Sequence, residues 1–122
     1  VTVSGKSAHI SKPELARDAL AAAVEFYCRV RKAEQAMPEG VFRLLNFGML
    51  QSGTARNVIS SHTRMLGTLR AFEDDVFFAL KDMVLRTARE VGALYNVKES
   101  VYGCVGVAEQ RNSCIADFAE VE

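Results

Sequence analysis

The chain has 122 residues, room for one domain and little more, and its 49% apolar and 25% charged content is that of a folded, water-soluble protein. Fifteen basic residues cancel fifteen acidic ones. No broad basic field exists to hold nucleic acid or an anionic membrane, so any anion binding is local, built from one or two side chains. Val1 to Ser4 alternates apolar and polar residues, which predicts a short strand. Gly5 to Ser11 reads as a loop. Ser11-Lys12-Pro13-Glu14 has the form of a capping box and predicts a helix that reaches about Gln35. Leu15, Ala19, Ala22, Phe26 and Val30 supply its apolar stripe. Pro38-Glu39-Gly40 is a turn.

Val41 to Leu50 is strand-like, with Gly48 marking a bulge. Gln51 to Ser61 reads as a loop. Thr63 to Phe72 is the next strand, with Met65, Leu69 and Ala71 on one face and Arg64, Thr68 and Arg70 on the other. Glu73-Asp74-Asp75 opens a second helix, where carboxylates suit the positive end of the helix dipole. Its buried stripe is Val76, Leu80, Met83, Val84, Thr87, Val91 and Leu94. Val97, Val101, Val105 and Val107 alternate with Lys98, Ser100 and Tyr102 in a last strand, and Ala108 to Glu122 reads as a tail with a partial helix.

The order β-α-β-β-α-β, with one apolar stripe per helix and one apolar face per strand, predicts an α+β two-layer sandwich of the ferredoxin-like kind. Two helices would cover one face of a four-stranded antiparallel sheet. In that arrangement the strand 41–50 is an edge, long and apolar, and needs a cover or a pairing partner. A two-fold partner using the same edge would join two sheets into one.

Cys28, Cys104 and Cys114 are odd in number and form no C-x-x-C pair, which points away from a disulfide framework and towards a reducing, cytoplasmic setting. Two histidines, His9 and His62, are too few for a His-rich metal site. His62 reads as structural or solvated, and Glu73-Asp74-Asp75 as a solvated helix start. The chain begins without Met, directly in an apparent strand, which predicts a piece of a longer protein.

Three side chains suit a polarised carbonyl or an anion. His9 follows a strand and is either a solvated loop residue or a hydrogen-bond donor to a carbonyl. Asn57 lies beyond Gly53-Thr54 in a turn-rich loop and either satisfies local backbone groups or contacts a ligand. Arg70, on the polar face of its strand, is either a solvated cross-strand partner or a grip for a carboxylate. Together they are expected to reach one region of the sheet rim. No nucleophile–base pair, phosphate loop or metal-ligand spacing accompanies them.

Gly5-Lys6-Ser7-Ala8-His9 with Pro13, then Gly53-Thr54-Ala55-Arg56-Asn57-Val58-Ile59, then Gly67-Thr68-Leu69-Arg70, closely resemble the dimerisation (lid) domain of the zinc-dependent aminoacylase, carboxypeptidase and amidohydrolase family. The middle motif is most similar to the N-acyl-amino-acid amidohydrolase branch. The resemblance runs from the first strand to Val107 and implies a lid domain over 1–107, with 108–122 leading back to a catalytic domain. It implies two divalent metals, zinc, held in that other domain and none in this chain. It also implies a homodimer formed through the edge strand 41–50 and the first helix.

By the same resemblance, His9 stabilises a tetrahedral oxyanion in the partner subunit's site, Asn57 contacts the substrate, Gly53 and Thr54 form the turn that presents Asn57, and Arg70 binds a substrate carboxylate. The implied parent hydrolyses amide bonds of N-acyl amino acids or small peptides, while this chain alone is inactive. The sequence departs from the family at Ser60, where proline is common, and that departure predicts a looser loop around Asn57. A free-standing ferredoxin-like module for ligand binding or oligomerisation is the alternative. An RNA-binding sheet fails on charge and on the lack of an aromatic pair for the open face.

Overall fold

The computed structural model describes residues 1–101 and 120–121. Its elements in chain order are β1 (Thr2–Ser4), β2 (Ala8–His9), α1 (Ala19–Gln35), β3 (Arg43–Ser52), β4 (Val58–Ile59), β5 (His62–Ala71), α2 (Asp74–Tyr95), β6 (Lys98–Ser100) and β7 (Glu120–Val121). The main sheet runs β3-β5-β1-β6-β7, with every neighbouring pair antiparallel. β1 sits inside, between β5 and β6, and α1 and α2 pack on each other and on the sheet. This is the expected two-layer α+β sandwich, with the short β7 added at the β6 edge. β2 and β4 pair separately as a two-residue ribbon.

Alternation along the strands assigns the faces. Val3, Leu45 and Met65 turn inward, with Thr63 beside them, against Phe26 and Val30 of α1 and Leu80, Val84 and Val91 of α2. Each fully buried large apolar side chain contributes about 1.5–3 kcal/mol. Arg64, Leu66, Thr68 and Arg70 of β5 are exposed on the opposite face. The ladder between β3 and β5 shifts between Phe47 and Met49, so Gly48 is the bulged residue that the sequence marks. Among the described residues β3 has β5 on one side only and is the sheet edge expected of this segment.

Several expectations are corrected. The first helix does not start at Ser11. Pro13–Leu15 is a single 3-10 turn, Ala16 is extended, and α1 begins at Ala19. Lys6 and Arg17 exchange backbone hydrogen bonds of 2.9 Å, which hold residue 17 extended, and Asp18 then caps the helix by accepting from Leu20 N (3.0 Å) and Ala21 N (2.9 Å). Leu15 is therefore exposed and outside the stripe. Leu94 is exposed as well, because Val91 and Gly92 already occupy the buried side of the last turn of α2. Residues 102–107 of the predicted last strand, Cys104, Cys114 and most of the tail lie outside the described residues. The described end of the tail, Glu120–Val121, pairs with β6 as strand rather than helix.

The alternation of β6 also carries a residue that does not look like core. Glu99 lies between Val97 and Val101 on the inward face and is fully buried. Neither of its carboxyl oxygens has a hydrogen-bond partner among the described residues. Burial pushes its carboxyl up to about 8, and the pull of the Val1 ammonium in the other direction is the weaker influence. Folded Glu99 keeps its proton to about pH 8, whereas an unfolded one releases it near 4.5. Between those values the folded state binds more protons, so stability falls as pH rises. The span corresponds to a loss on the order of 4 kcal/mol. Denaturant unfolding at pH 5 and pH 8 should show that loss, and Glu99→Gln should remove most of it. An equal slope in both proteins would contradict the assignment.

Candidate functional site

The site is built by the chain's exit from β1. The Gly5 amide donates to Ser61 O at 2.8 Å, and Lys6 is then locked to Arg17. A Cβ on Gly5 would collide with the Arg17 carbonyl oxygen, so only glycine permits this approach. Past that clamp, β2 lies against β4 in antiparallel register, with Ala8 opposite Ile59 and His9 opposite Val58. The Ile10 amide donates to Asn57 O at 3.0 Å. The backbones of His9 and Asn57, 48 positions apart in the sequence, thus lie on adjoining segments of one exposed ribbon, with His9 opposite Val58 and Asn57 bonded to Ile10.

The ring of His9 has a defined orientation. Its Nδ1 accepts from the Ser11 amide at 3.1 Å and lies 2.7 Å from Ser11 Oγ. A backbone N–H can only donate, so the neutral imidazole carries its proton on Nε2. That Nε2–H faces no protein acceptor among the described residues and is available as a donor.

Asn57 sits in a turn closed by Val58 N donating to Ala55 O at 3.3 Å. Gly53 starts the turn region with φ of +91°, a conformation that favours glycine. Thr54 is exposed beside it. The Asn57 side chain is exposed and makes no hydrogen bond among the described residues, while its carbonyl holds the ribbon.

Ser60 does not loosen this loop. It is buried, and its hydroxyl donates to His62 O at 2.8 Å. Ser52 Oγ donates to Ser60 Oγ at 2.7 Å and lies 2.6 Å from Thr63 Oγ1. The Ser60 carbonyl accepts from Ala19 N at 3.0 Å. This run of hydroxyls ties β4 to β3, β5 and the start of α1, so hydrogen bonds supply the stiffness that a proline ring would give.

Arg70 is not at this locus. It is exposed on the open sheet face opposite Leu44, eight residues along β5 from His62. That is about 26 Å at the usual rise of a strand. Within one chain Arg70 thus stands apart from the ribbon that carries the backbones of His9 and Asn57. His62 is exposed, opposite Ser4. Cys28 is exposed. Among the described residues, no three His, Cys, Asp or Glu side chains converge to hold a metal, and no helix is long and apolar enough to cross a membrane. The ribbon itself escaped sequence reading, because two-residue strands leave no period to detect. The glycine turns at Gly5 and Gly53 were its only signals.

The fold is a two-layer sandwich in which β3 ends the strand order of the main sheet and a short exposed ribbon stands apart from it, among the described residues. The chain belongs to the peptidase dimerisation domain family, whose model matches residues 1–93. Among its relatives is an N-acetyldiaminopimelate deacetylase of Lacticaseibacillus casei, 28% identical over 126 residues, covering 99% of this chain and 33% of that protein. Another is the N-acetyldiaminopimelate deacetylase of Streptococcus pneumoniae, 32% identical over 104 residues, covering 83% and 27%. The chain thus spans a third or less of the curated relatives it matches.

Among solved structures, it is similar to an aminobenzoyl-glutamate utilization protein from Klebsiella pneumoniae, with TM-score 0.70 and 26% identity over 80% of this chain and 24% of that one. A hydantoinase/carbamoylase family amidase from Burkholderia multivorans shares the fold, with TM-score 0.69 and 23% identity over 80% and 24%. In these terms the chain is a dimerisation domain of the amidohydrolase and peptidase family.

The Gly5 clamp is open to a direct test. Gly5→Ala should destabilise the chain by about 1–3 kcal/mol through the forced backbone shift. It should also broaden or displace the NMR signals of His9 and Asn57. A variant with an unchanged denaturation midpoint and unchanged ribbon signals would contradict the clamp.

Proposed function

We propose that this chain is the dimerisation and substrate-binding domain of a metal-dependent amidohydrolase that cleaves N-acyl amino acids or small peptides. The observation that carries the reading is the exposed ribbon that sets His9 opposite Val58, the residue after Asn57, with neither the His9 Nε2–H nor the Asn57 carboxamide hydrogen-bonded among the described residues. The two divalent metals of such a parent, zinc by resemblance, find no ligand set among the described residues. In this reading the part of this chain is binding and orientation. His9 donates a hydrogen bond to the oxygen that gains charge as the amide carbonyl is attacked. Such a donor typically contributes roughly 3–4 kcal/mol. Asn57 holds the backbone-like groups of the substrate, and Gly53 and Thr54 set its turn.

Arg70 remains a candidate for a substrate carboxylate only where the substrate approaches the far end of β5. The ribbon is open to solvent, so its complement comes from outside this segment, in line with a partner subunit's catalytic domain. In the full-length protein, His9→Ala should lower kcat by about a hundredfold or more while KM changes little. An unchanged kcat would remove His9 from the chemistry.

Dimerisation would use β3 and the flank of α1 above it. β3 is ten residues long, and its outward-facing residues, about every second one, offer backbone donors and acceptors that a second copy can satisfy across a two-fold axis. Tyr27 packs edge-on to Phe47 and Arg31 donates to Leu45 O at 3.1 Å, which places that side of α1 over β3. Leu20 and Val24 recur on the same flank and are 41% and 48% exposed. Leu20→Glu combined with Val24→Glu should convert a dimer to a folded monomer in sedimentation at micromolar concentration. An unchanged dimer would exclude this flank.

A further inference from the structure

At the Arg43 end of β3 the sheet carries an exposed aromatic pair. Phe42 and Phe72 lie just beyond the ladder position that joins Arg43 to Ala71, and their rings stack with centroids 4.2 Å apart. Phe42 is 48% exposed and Phe72 83%, and Leu44 beside them is exposed as well. A contiguous apolar patch of this kind marks a contact surface. Its occupant follows from where it lies. Phe42 directly precedes β3, the sheet edge, in a domain of a dimerisation family. The bulge at Gly48 restricts how two copies of that edge can pair. Before it, Arg43, Leu45 and Phe47 face the helices. After it, Leu50 and Ser52 do, opposite the buried Met65 and Thr63. Leu44, Asn46, Met49 and Gln51 face away. Directly opposite residues of an antiparallel pair share a face. A register that sets Arg43 against the partner's Ser52 meets this condition on both sides of the bulge and uses the whole strand. A shift by one residue sets inward positions against outward ones. The next pair along would be Phe42 and the partner's Gly53. A Cβ built on Gly53 meets nothing within 4 Å, and Thr54 and Ala55 after it are small, so the turn leaves room for two rings.

We propose that the stacked Phe42–Phe72 pair of each subunit packs on the partner's Gly53–Ala55 turn, and so braces, across the two-fold axis, the loop that carries Asn57. By symmetry each dimer holds the contact twice. The rings bury apolar surface at little cost in side-chain freedom, because their stacking already orders them. Association and site are thereby linked: a subunit without its partner keeps the ribbon's own hydrogen bonds and loses the cover on its turn. The inference rests on the reading of β3 as the dimer edge.

The test uses the full-length protein in a Cys28→Ser background and a short thiol-specific cross-linker. Phe42→Cys in one chain and Thr54→Cys in the other should link in mixed dimers, and neither variant should link to the unaltered chain. Leu44→Cys with Gln51→Cys, opposite each other in the same register, reports the edge itself. Phe42→Ala and Phe72→Ala should each weaken the dimer about tenfold or more in sedimentation equilibrium, with unchanged circular dichroism, as truncation of an aromatic anchor does. A link between positions 44 and 51 without one between 42 and 54 overturns the aromatic contact and leaves the edge standing. An unchanged dissociation constant in both alanine variants does the same. Absence of the link between 44 and 51 overturns the edge register beneath the proposal. Alanine variants that dimerise normally but lose kcat/KM assign the patch to the catalytic domain, which also overturns the contact.

Discussion

The backbone clamp between Gly5 and Arg17 is the constraint on which the chemistry of this domain depends. A strand leaving β1 would ordinarily run into a surface loop and scatter. Here the Gly5 amide is held by Ser61, and Lys6 and Arg17 bind each other in both directions. The next residues are thereby delivered in register to Val58 and Ile59. A side chain at position 5 would push the Arg17 carbonyl away and lose that delivery. The same clamp fixes the start of α1, because it keeps residue 17 extended and leaves Asp18 to cap the helix.

The rest of the fold supports this arrangement from below. Thr63, Ser52 and Ser60 hold the base of the β4 segment with hydroxyl hydrogen bonds, and the Ser60 carbonyl receives the first amide of α1. The ribbon is therefore tied to β3, β5 and α1 at once, while its tip remains open. Exposed tips on rigid supports are where binding residues are found. The other open feature, the outer edge of β3, has a different chemistry. It offers backbone donors and an apolar helix flank, which suit a second copy of the chain better than a small molecule.

Much of this was legible in the sequence, and the failures have physical reasons. The stripe from Ala19 to Val30, the alternation of residues 63–71 and the bulge at Gly48 all follow from local periodicity, which the core enforces. The start of α1 was misread because Ser11-x-x-Glu14 satisfies the local rule for a cap, while a contact with Lys6 decides the outcome. Pairing of His9 with Val58 is a long-range event over two residues, and no window of sequence contains it. The separation of Arg70 from the ribbon likewise needed the strand register. Glu99 was overlooked because a carboxylate at an alternating core position contradicts the pattern around it, and its burial is a cost that the neighbouring valines outweigh.

On the proposed reading, His9 and Asn57 would be half of a site whose remaining parts lie on another domain, reached across a two-fold axis. Subunit complementation tests that claim most directly. Full-length protein carrying His9→Ala is mixed, after dissociation and reassociation, with full-length protein that lacks a metal ligand in its catalytic domain. If His9 acts on the partner's site, one site in each mixed dimer is whole, and about a quarter of the wild-type activity returns at equal mixing. Recovery no greater than the sum of the two inactive parents would show that His9 serves its own subunit or none.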